Sequence, residues 1–366
     1  MAYTTINDPS AHFQADLYTG SGSAKTFDGN SDLQLDMVWI KARSTAENGR
    51  LADTSRGIGD GTNETKWLLP AETASEESST EFASIGSDSF TLNTSDAKLN
   101  SSSHTYAAWA WKANGGTTTT NNAGANGADH ASVYQANDTA GFSIVTYTSD
   151  NQSGDTTIKH GLSTAPTFMI HKARNASSTI WWVYHTGLGN SGYVQIDDTQ
   201  ANQTGSSNVW RNTAPTSSVF KVGLDSIAAA DGRTMVAYCF APIQGYSAFG
   251  TFTGSGSDLG SEQSDGAFVY TGFKPAWLMF KRTDSTSNWC LVDHKRLGYN
   301  PDIPEFRPNL ANAEGNTTDD ILDLVSNGFK IRTTSGDFGG GTGNFIYMAF
   351  AESPFVSSTG VPTTAR

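Results

Sequence analysis

Apolar and polar positions along this chain fall into short strand-like runs, and the same runs return three times. One run ends in lysine: Met-Val-Trp-Ile-Lys at 37–41, Phe-Met-Ile-His-Lys at 168–172 and Trp-Leu-Met-Phe-Lys at 277–281. A second run, 12 or 13 residues beyond each lysine, ends at Asp53, His185 and Asp293, so each copy carries a hairpin-like unit. A small polar turn closes on Phe90, Phe220 and Phe329, 48 or 49 residues after the lysine. Another 20 or 21 residues on, an aromatic run spaced by small residues ends at Trp111, Phe240 and Phe350. A period of about 100 residues is too long for a solenoid and suits a small domain.

The closing run predicts how each copy packs, because side chains alternate across a strand. Trp109 and Trp111 face away from Ala108 and Ala110; Tyr238 and Phe240 face away from Ala237, Cys239 and Ala241; Met348 and Phe350 face away from Tyr347 and Ala349. The bulky face is expected to be core, since each buried aromatic contributes roughly 1.5–3 kcal/mol. The small face would let another sheet or module approach closely.

These patterns predict an all-β chain of tandem antiparallel β-sandwich modules, jelly-roll-like, in three repeats of about 100 residues. The boundaries fall at 1–113 (module one with an N-terminal arm), 114–140 (a linker), 141–244 (module two), 245–355 (module three) and 356–366 (an extended tail). The linker is Gly-, Thr- and Asn-rich with almost no apolar side chains, so it is expected to be flexible and module one independent. Modules two and three, joined by the short aromatic stretch at 245–249, are expected to dock as a pair. The one helical expectation is a short turn over 318–325, which opens Thr-Asp-Asp.

Composition agrees and excludes several functions. The chain has 366 residues, 37 of them Gly, and only 16% are charged, a balance poor for helices. A net charge of −13 argues against nucleic acid as a partner. No run approaches 18 apolar residues, which argues against membrane insertion, and the N-terminus lacks the regions of a secretion signal. The two cysteines, Cys239 and Cys290, sit in strand-like runs and read as buried thiols rather than a disulfide. Asn-x-Ser/Thr sites such as Asn93 and Asn175 read as by-products of a polar composition.

Reactive constellations are sparse. The acid pairs Glu76-Glu77, Asp197-Asp198 and Asp319-Asp320 could serve a polysaccharide-cleaving site only if two carboxyls met across a cleft. Asp293-His294-Lys295 suggests acid–base chemistry, but the matching slots hold Asp53 and His185, which fits a strand-end turn better. Asp28-Gly-Asn-Ser-Asp32 has the alternating oxygens of a Ca²⁺ loop but fails the EF-hand pattern at its sixth and twelfth positions, Leu33 and Trp39. The Gly-Ser-Gly-Ser runs at 20–23 and 254–257 lack a lysine and a following helix, so they are turns and not phosphate loops. Trp67, Trp181, Trp210 and Trp289 are candidates for stacking on sugar rings, against a core role. No catalytic residue, metal site or cofactor is assigned, and the ligand-binding residues stay unassigned.

Several motifs resemble a repeat module of structural proteins from marine tailed bacteriophages, of tail-fibre or virion-appendage type. They are Asp-Gly-Asn-Ser-Asp-Leu-Gln at 28–34 before Val-Trp-Ile-Lys, Gly-Phe-Ser-Ile-Val-Thr-Tyr-Thr at 141–148 and His-Gly-Leu-Ser-Thr-Ala-Pro at 160–166. Val-Ala-Tyr-Cys-Phe at 236–240, Gln-Gly-Tyr-Ser-Ala-Phe-Gly at 244–250, Phe-Val-Tyr-Thr-Gly-Phe-Lys-Pro-Ala-Trp at 268–277 and Ser-Asn-Gly-Phe-Lys at 326–330 complete the set. The resemblance implies a non-enzymatic virion protein, assembled in the host cytoplasm, acting as a tail fibre or host-recognition appendage. Its expected partners are further copies of itself, with a trimer the expected state, other virion proteins and host surface glycan. A head decoration or head-fibre protein is the alternative, and a glycan-degrading tail depolymerase the alternative of another class.

Overall fold

A computed structural model gives the fold. It describes every residue except 1, 29–32, 60–61, 87–88, 150–155, 205–208, 224–231, 255–265, 297–299, 301–303, 316–320 and 364–366. The chain is almost entirely β, with two single-turn 3-10 helices, at Pro9–Ala11 and Thr186–Leu188, among the described residues. All named strand pairs are antiparallel. No helix of the described residues is long and apolar enough to cross a membrane.

The first third holds β1 (Phe13–Thr19), β2 (Lys25–Asp28), β3 (Met37–Ala42), β4 (Arg50–Asp53), β5 (Thr65–Trp67), β6 (Glu77–Ser79), β7 (Phe82–Ile85), β8 (Ser89–Leu92) and β9 (Thr105–Trp111). The middle holds β10 (Thr119–Asn121), β11 (Ser132–Asn137), β12 (Phe142–Thr148), β13 (Thr156–Lys159), β14 (Phe168–Ala173), β15 (Trp182–His185), β16 (Val194–Gln195), β17 (Val219–Val222) and β18 (Thr234–Phe240). The last holds β19 (Ser247–Thr253), β20 (Phe268–Tyr270), β21 (Phe273–Arg282), β22 (Trp289–Asp293), β23 (Leu322–Val325), β24 (Gly328–Ile331) and β25 (Asn344–Pro354).

One strand order occurs three times: β1-β9-β3-β4, β12-β18-β14-β15 and β19-β25-β21-β22. The register is the same each time. Met37, Phe168 and Trp277 pair with Trp111, Phe240 and Phe350, and on their other side with Asp53, His185 and Asp293. The run-ending lysines pair with Ala107, Val236 and Ile346, four residues before the closing aromatic. Below each sheet lies a smaller one, β2-β8-β7, β13-β17 or β20-β24-β23, in which Phe90, Phe220 and Phe329 pair in register with residues 27, 158 and 269.

The alternation read from the closing strands decides the packing. The small faces lie over the smaller sheets: Ala108 and Ala110 cluster with Phe82, Phe90 and Leu92; Ala237, Cys239 and Ala241 with Phe220 and Val222; Ala349 with Phe329 and Ile331. Tiny side chains let the two layers of each sandwich close. The bulky faces turn the other way and meet one another. Trp109, Trp111, Phe142, Phe168, Tyr238, Phe240, Trp277, Met348 and Phe350 belong to one cluster drawn from all three sheets. Phe13 stacks on Phe350 with centroids 5.2 Å apart, Trp111 meets Trp277 edge to face at 5.7 Å, and Phe240 meets Phe350 at 5.9 Å.

Three expectations are corrected. The first sheet is not a tethered, independent body, because its tryptophans are in that shared core. The small faces do take a close second sheet, as expected, and that sheet is the chain's own. The segment 114–140 carries β10 and β11, and β11 extends the middle sheet along β12. It is also pinned: the buried Asp36 carboxylate accepts from the backbone N–H of Ala113, Gly115 and Gly116 at 2.7–2.8 Å. Side-chain carboxylate bonds order a stretch whose composition offers little apolar burial. Of the helical turn expected over 318–325, residues 318–320 lie outside the described residues and Leu322–Val325 is strand β23 of the lower sheet, with Leu322 and Leu324 buried beneath the upper one.

Candidate functional site

The polar chemistry of the molecule concentrates where one sheet's strand-end turn meets the next sheet. At the end of β4, Asp53 accepts the Arg56 backbone N–H (2.9 Å) and the Arg56 Nε–H (2.5 Å), a tight acid-x-x-Arg turn. The Arg56 Nη atoms donate to Leu51 O, Lys66 O and Glu76, so all three guanidinium nitrogens are bonded. The next sheet joins this knot twice. Tyr238 Oη donates to Asp53 Oδ2 at 2.6 Å, and Arg174 pairs with Glu76 at 2.9 Å.

The last and first sheets repeat the arrangement. Asp293 holds Arg296, Arg296 reaches Leu291 O, Pro304 O and Glu314, Trp109 Nε1 donates to Asp293 Oδ2 at 3.0 Å, and Arg43 pairs with Glu314 at 2.7 Å. The guanidinium beside it holds the Asp293 carboxyl below the usual carboxylate range, burial opposing. Arg296 also lies 4.1 Å over the Phe306 ring, which meets Trp109 edge to face.

The junction of the middle and last sheets keeps the backbone contact and loses the charges. Asn202 N donates to Thr283 O, as Glu76 N does to Arg174 O and Glu314 N to Arg43 O. In register, however, His185 and Leu188 stand in place of Asp and Arg, and Met348 in place of Trp109 and Tyr238. The loss is concerted, as expected where removing one member would leave a buried charge unpaired. His185 Nε2 has no partner, and burial lowers its pKa to about 4.

The three run-ending lysines are buried at these same edges. Lys41 Nζ donates to Glu47 O and Leu310 O, Lys281 Nζ to Thr199 O and Arg282 O, and Lys172 Nζ to Thr179. Burial lowers all three to about 8. A lysine with that pKa is a possible nucleophile in an open pocket. Here each ammonium donates two bonds to protein oxygens and none of the three lines a cavity described below.

The residues singled out in the sequence separate. Glu76 is in the knot, while Glu77 pairs with Arg50 at 3.3 Å. Asp197 accepts the Trp181 N–H and is raised by burial to about 6; Asp198 caps Thr199 N. His294 lies beside Ala276 O at 3.0 Å. Asp319, Asp320, residues 29–32 and 255–257 lie outside the described residues. Trp67, Trp181, Trp210 and Trp289 are all fully buried, and each indole N–H has a partner within the protein: Ser79 Oγ, Leu69 O, Gly192 O and Gln195 O. Cys239 and Cys290 are buried free thiols, and burial pushes both pKa values up. Asn175 is bonded on both sides of its amide to Gly232 O and Thr234 N. No cluster of three or more His, Cys, Asp or Glu suited to a metal occurs among the described residues.

Two features were missed. Phe268 and Tyr270 on β20 are exposed, 49% and 56%, where the matching positions hold Thr26 and Asp28, or Thr157 and Lys159. Comparing the three copies position by position would have found them. The other is a cleft of about 310 Å³ between β1 and the turn after β22, bounded by Gln14, Asp16, His294, Lys295 and Glu352. A second, of about 450 Å³, runs beside β11 and β12 past His130, Tyr147 and Arg174. A void of about 20 Å³ lies at the centre of the shared core, among Trp39, Trp111, Tyr238 and Trp277.

A family described as a domain of unknown function, DUF7483, matches residues 8–354. No curated protein and no solved structure matches the chain.

Proposed function

The chain belongs to the DUF7483 family, and we propose that it is a non-enzymatic structural protein of a bacteriophage virion, a tail fibre or host-recognition appendage subunit. The observation that supports this reading most is the single core shared by three equivalent sheets. The two fully buried ion pairs, Asp53–Arg56 and Asp293–Arg296, sit at sheet junctions and hold the body together. That is the economy of a scaffold whose work is done by surfaces. The motif resemblance to phage repeat modules points the same way. The expected partners are other virion proteins and host surface glycan.

A head decoration role is the second reading, and the cyclic build favours it. A single chain with three equivalent sheets can sit at a threefold or quasi-threefold position of a shell without forming a trimer. One experiment tests both: mass spectrometry of purified particles, followed by gold labelling with an antibody to this chain. Label on tail appendages supports the first reading and label on the head the second. Absence from purified particles refutes both.

A further inference from the structure

Each sheet has an edge strand that runs past the neighbouring sheet's strand-end turn, and the three copies of that place are filled differently. The edge strands are β1, β12 and β19. Phe13, Phe142 and Ser247 pair with Trp111, Phe240 and Phe350, which fixes their equivalence. The turns follow Asp53, His185 and Asp293, so Thr54-Ser55, Thr186-Gly187 and His294-Lys295 are equivalent.

Along β12 the place is taken by β11. Its Gln135 pairs with Ile144 and donates from Nε2 to Thr54 Oγ1 (2.9 Å) and Ser55 Oγ (2.6 Å). The turn between the two strands needs Gly141, at φ +65°, because a Cβ there would meet Ala241 O at 2.2 Å. Along β19 the turn itself closes the place: a Cβ added to Gly187 would stand 2.3 Å from Thr251 Cγ2. Along β1 neither happens. No described strand lies on the side away from β9, and His294 and Lys295 stand across the 310 Å³ cleft from Gln14, Ala15 and Asp16. Those three residues match Ser143, Ile144 and Val145, which β11 covers with Ala136, Gln135 and Tyr134.

We propose that this cleft receives an extended segment of another polypeptide, added antiparallel to β1 as β11 is added to β12. Strand addition of this kind draws affinity from the main chain and selectivity from alternate side chains. Glu352 on the rim is held by Lys274 at 2.7 Å, and the equivalent strand β11 supplies the matching chemistry. It is a strand with an amide side chain at its centre, which reaches the His294-Lys295 turn as Gln135 reaches Thr54. The occupant is a different protein and not a second copy. A second copy's β1 carries its own turn, and its β11 is engaged in its own ladder. The inference does not depend on which assembly the chain belongs to.

The test uses the full chain and a synthetic peptide of residues 130–139, the β11 sequence, followed by hydrogen–deuterium exchange. The peptide is expected to slow exchange in 13–19 and leave 247–253 unchanged. The same peptide N-methylated at alternate amides is expected to bind at least about tenfold more weakly, because the ladder is lost while the side chains remain. Replacing the exposed Lys295 by Trp should narrow the cleft and weaken the peptide without changing the unfolding midpoint. No protection of 13–19 at millimolar peptide overturns the proposal. So do equal protection of 247–253, equal binding of the N-methylated peptide, or a free chain that dimerises with 13–19 already protected.

Discussion

Two buried tyrosines give a matched test of the junction knots. Tyr238 and Tyr147 are both buried on the middle sheet, 1% and 5% exposed, and burial raises both phenol pKa values. Tyr238 Oη donates to the Asp53 carboxylate of the neighbouring sheet at 2.6 Å, whereas Tyr147 Oη has no partner. Tyr→Phe removes one oxygen in each case and leaves ring packing unchanged. A hydrogen bond to a charged group contributes about 1.5–3 kcal/mol, so Tyr238→Phe should raise the unfolding constant roughly 10- to 150-fold. Tyr147→Phe removes an unsatisfied polar atom and should be neutral or stabilising, by up to about 1 kcal/mol. The assay is urea unfolding followed by tryptophan fluorescence, with midpoints compared at unchanged slope. Because Asp53 keeps Arg56, the loss in Tyr238→Phe reports the cross-sheet bond alone. Equal midpoints for the two variants would refute the claim that the knot couples the sheets.

Acid should act first on the middle sandwich. His160, His171 and His185 are held neutral by burial, with pKa values lowered to about 4, 3 and 4. The unfolded chain binds these protons below about pH 6.5 and the folded chain does not, so stability should fall as pH drops from 6.5 toward 4. His171→Leu should flatten that slope, and a slope unchanged by the substitution would show that the proton uptake lies elsewhere. Cys239 should resist a thiol reagent in the native protein and react on unfolding, and Cys239→Ala should cost about 1–2 kcal/mol. Asp36→Ala leaves the Ala113 and Gly115 N–H groups unpaired and Gly116 N–H with Gln135 alone; it should cost at least about 2 kcal/mol and open 114–117 to protease, whereas cleavage there in the parent chain at the same rate would dismiss the pin.

The sequence alone determined the repeated strands, the hairpin of each copy and the two unequal faces of the closing run. Those are local consequences of period-two alternation and turn chemistry, and Lys41, Lys172 and Lys281 fall at one register position as the spacing required. Cys239 was legible as a small buried side chain for the same reason. The alternation could not say what each face meets. Only the tertiary structure decided that the small faces lie under their own second layer and that the aromatic faces share one core. Nor could it pair Arg43 with Glu314 or Tyr238 with Asp53, contacts 271 and 185 residues apart, because side-chain type fixes the need for a partner but not its place. β11 was hidden by its composition: Ser-Val-Tyr-Gln-Ala-Asn lacks a strong alternation, and it is a strand because β12 offers an open ladder and Thr54 and Ser55 offer acceptors for Gln135. The same logic left the cleft beside β1 invisible, since an edge is open or filled only once the neighbouring sheet is in place.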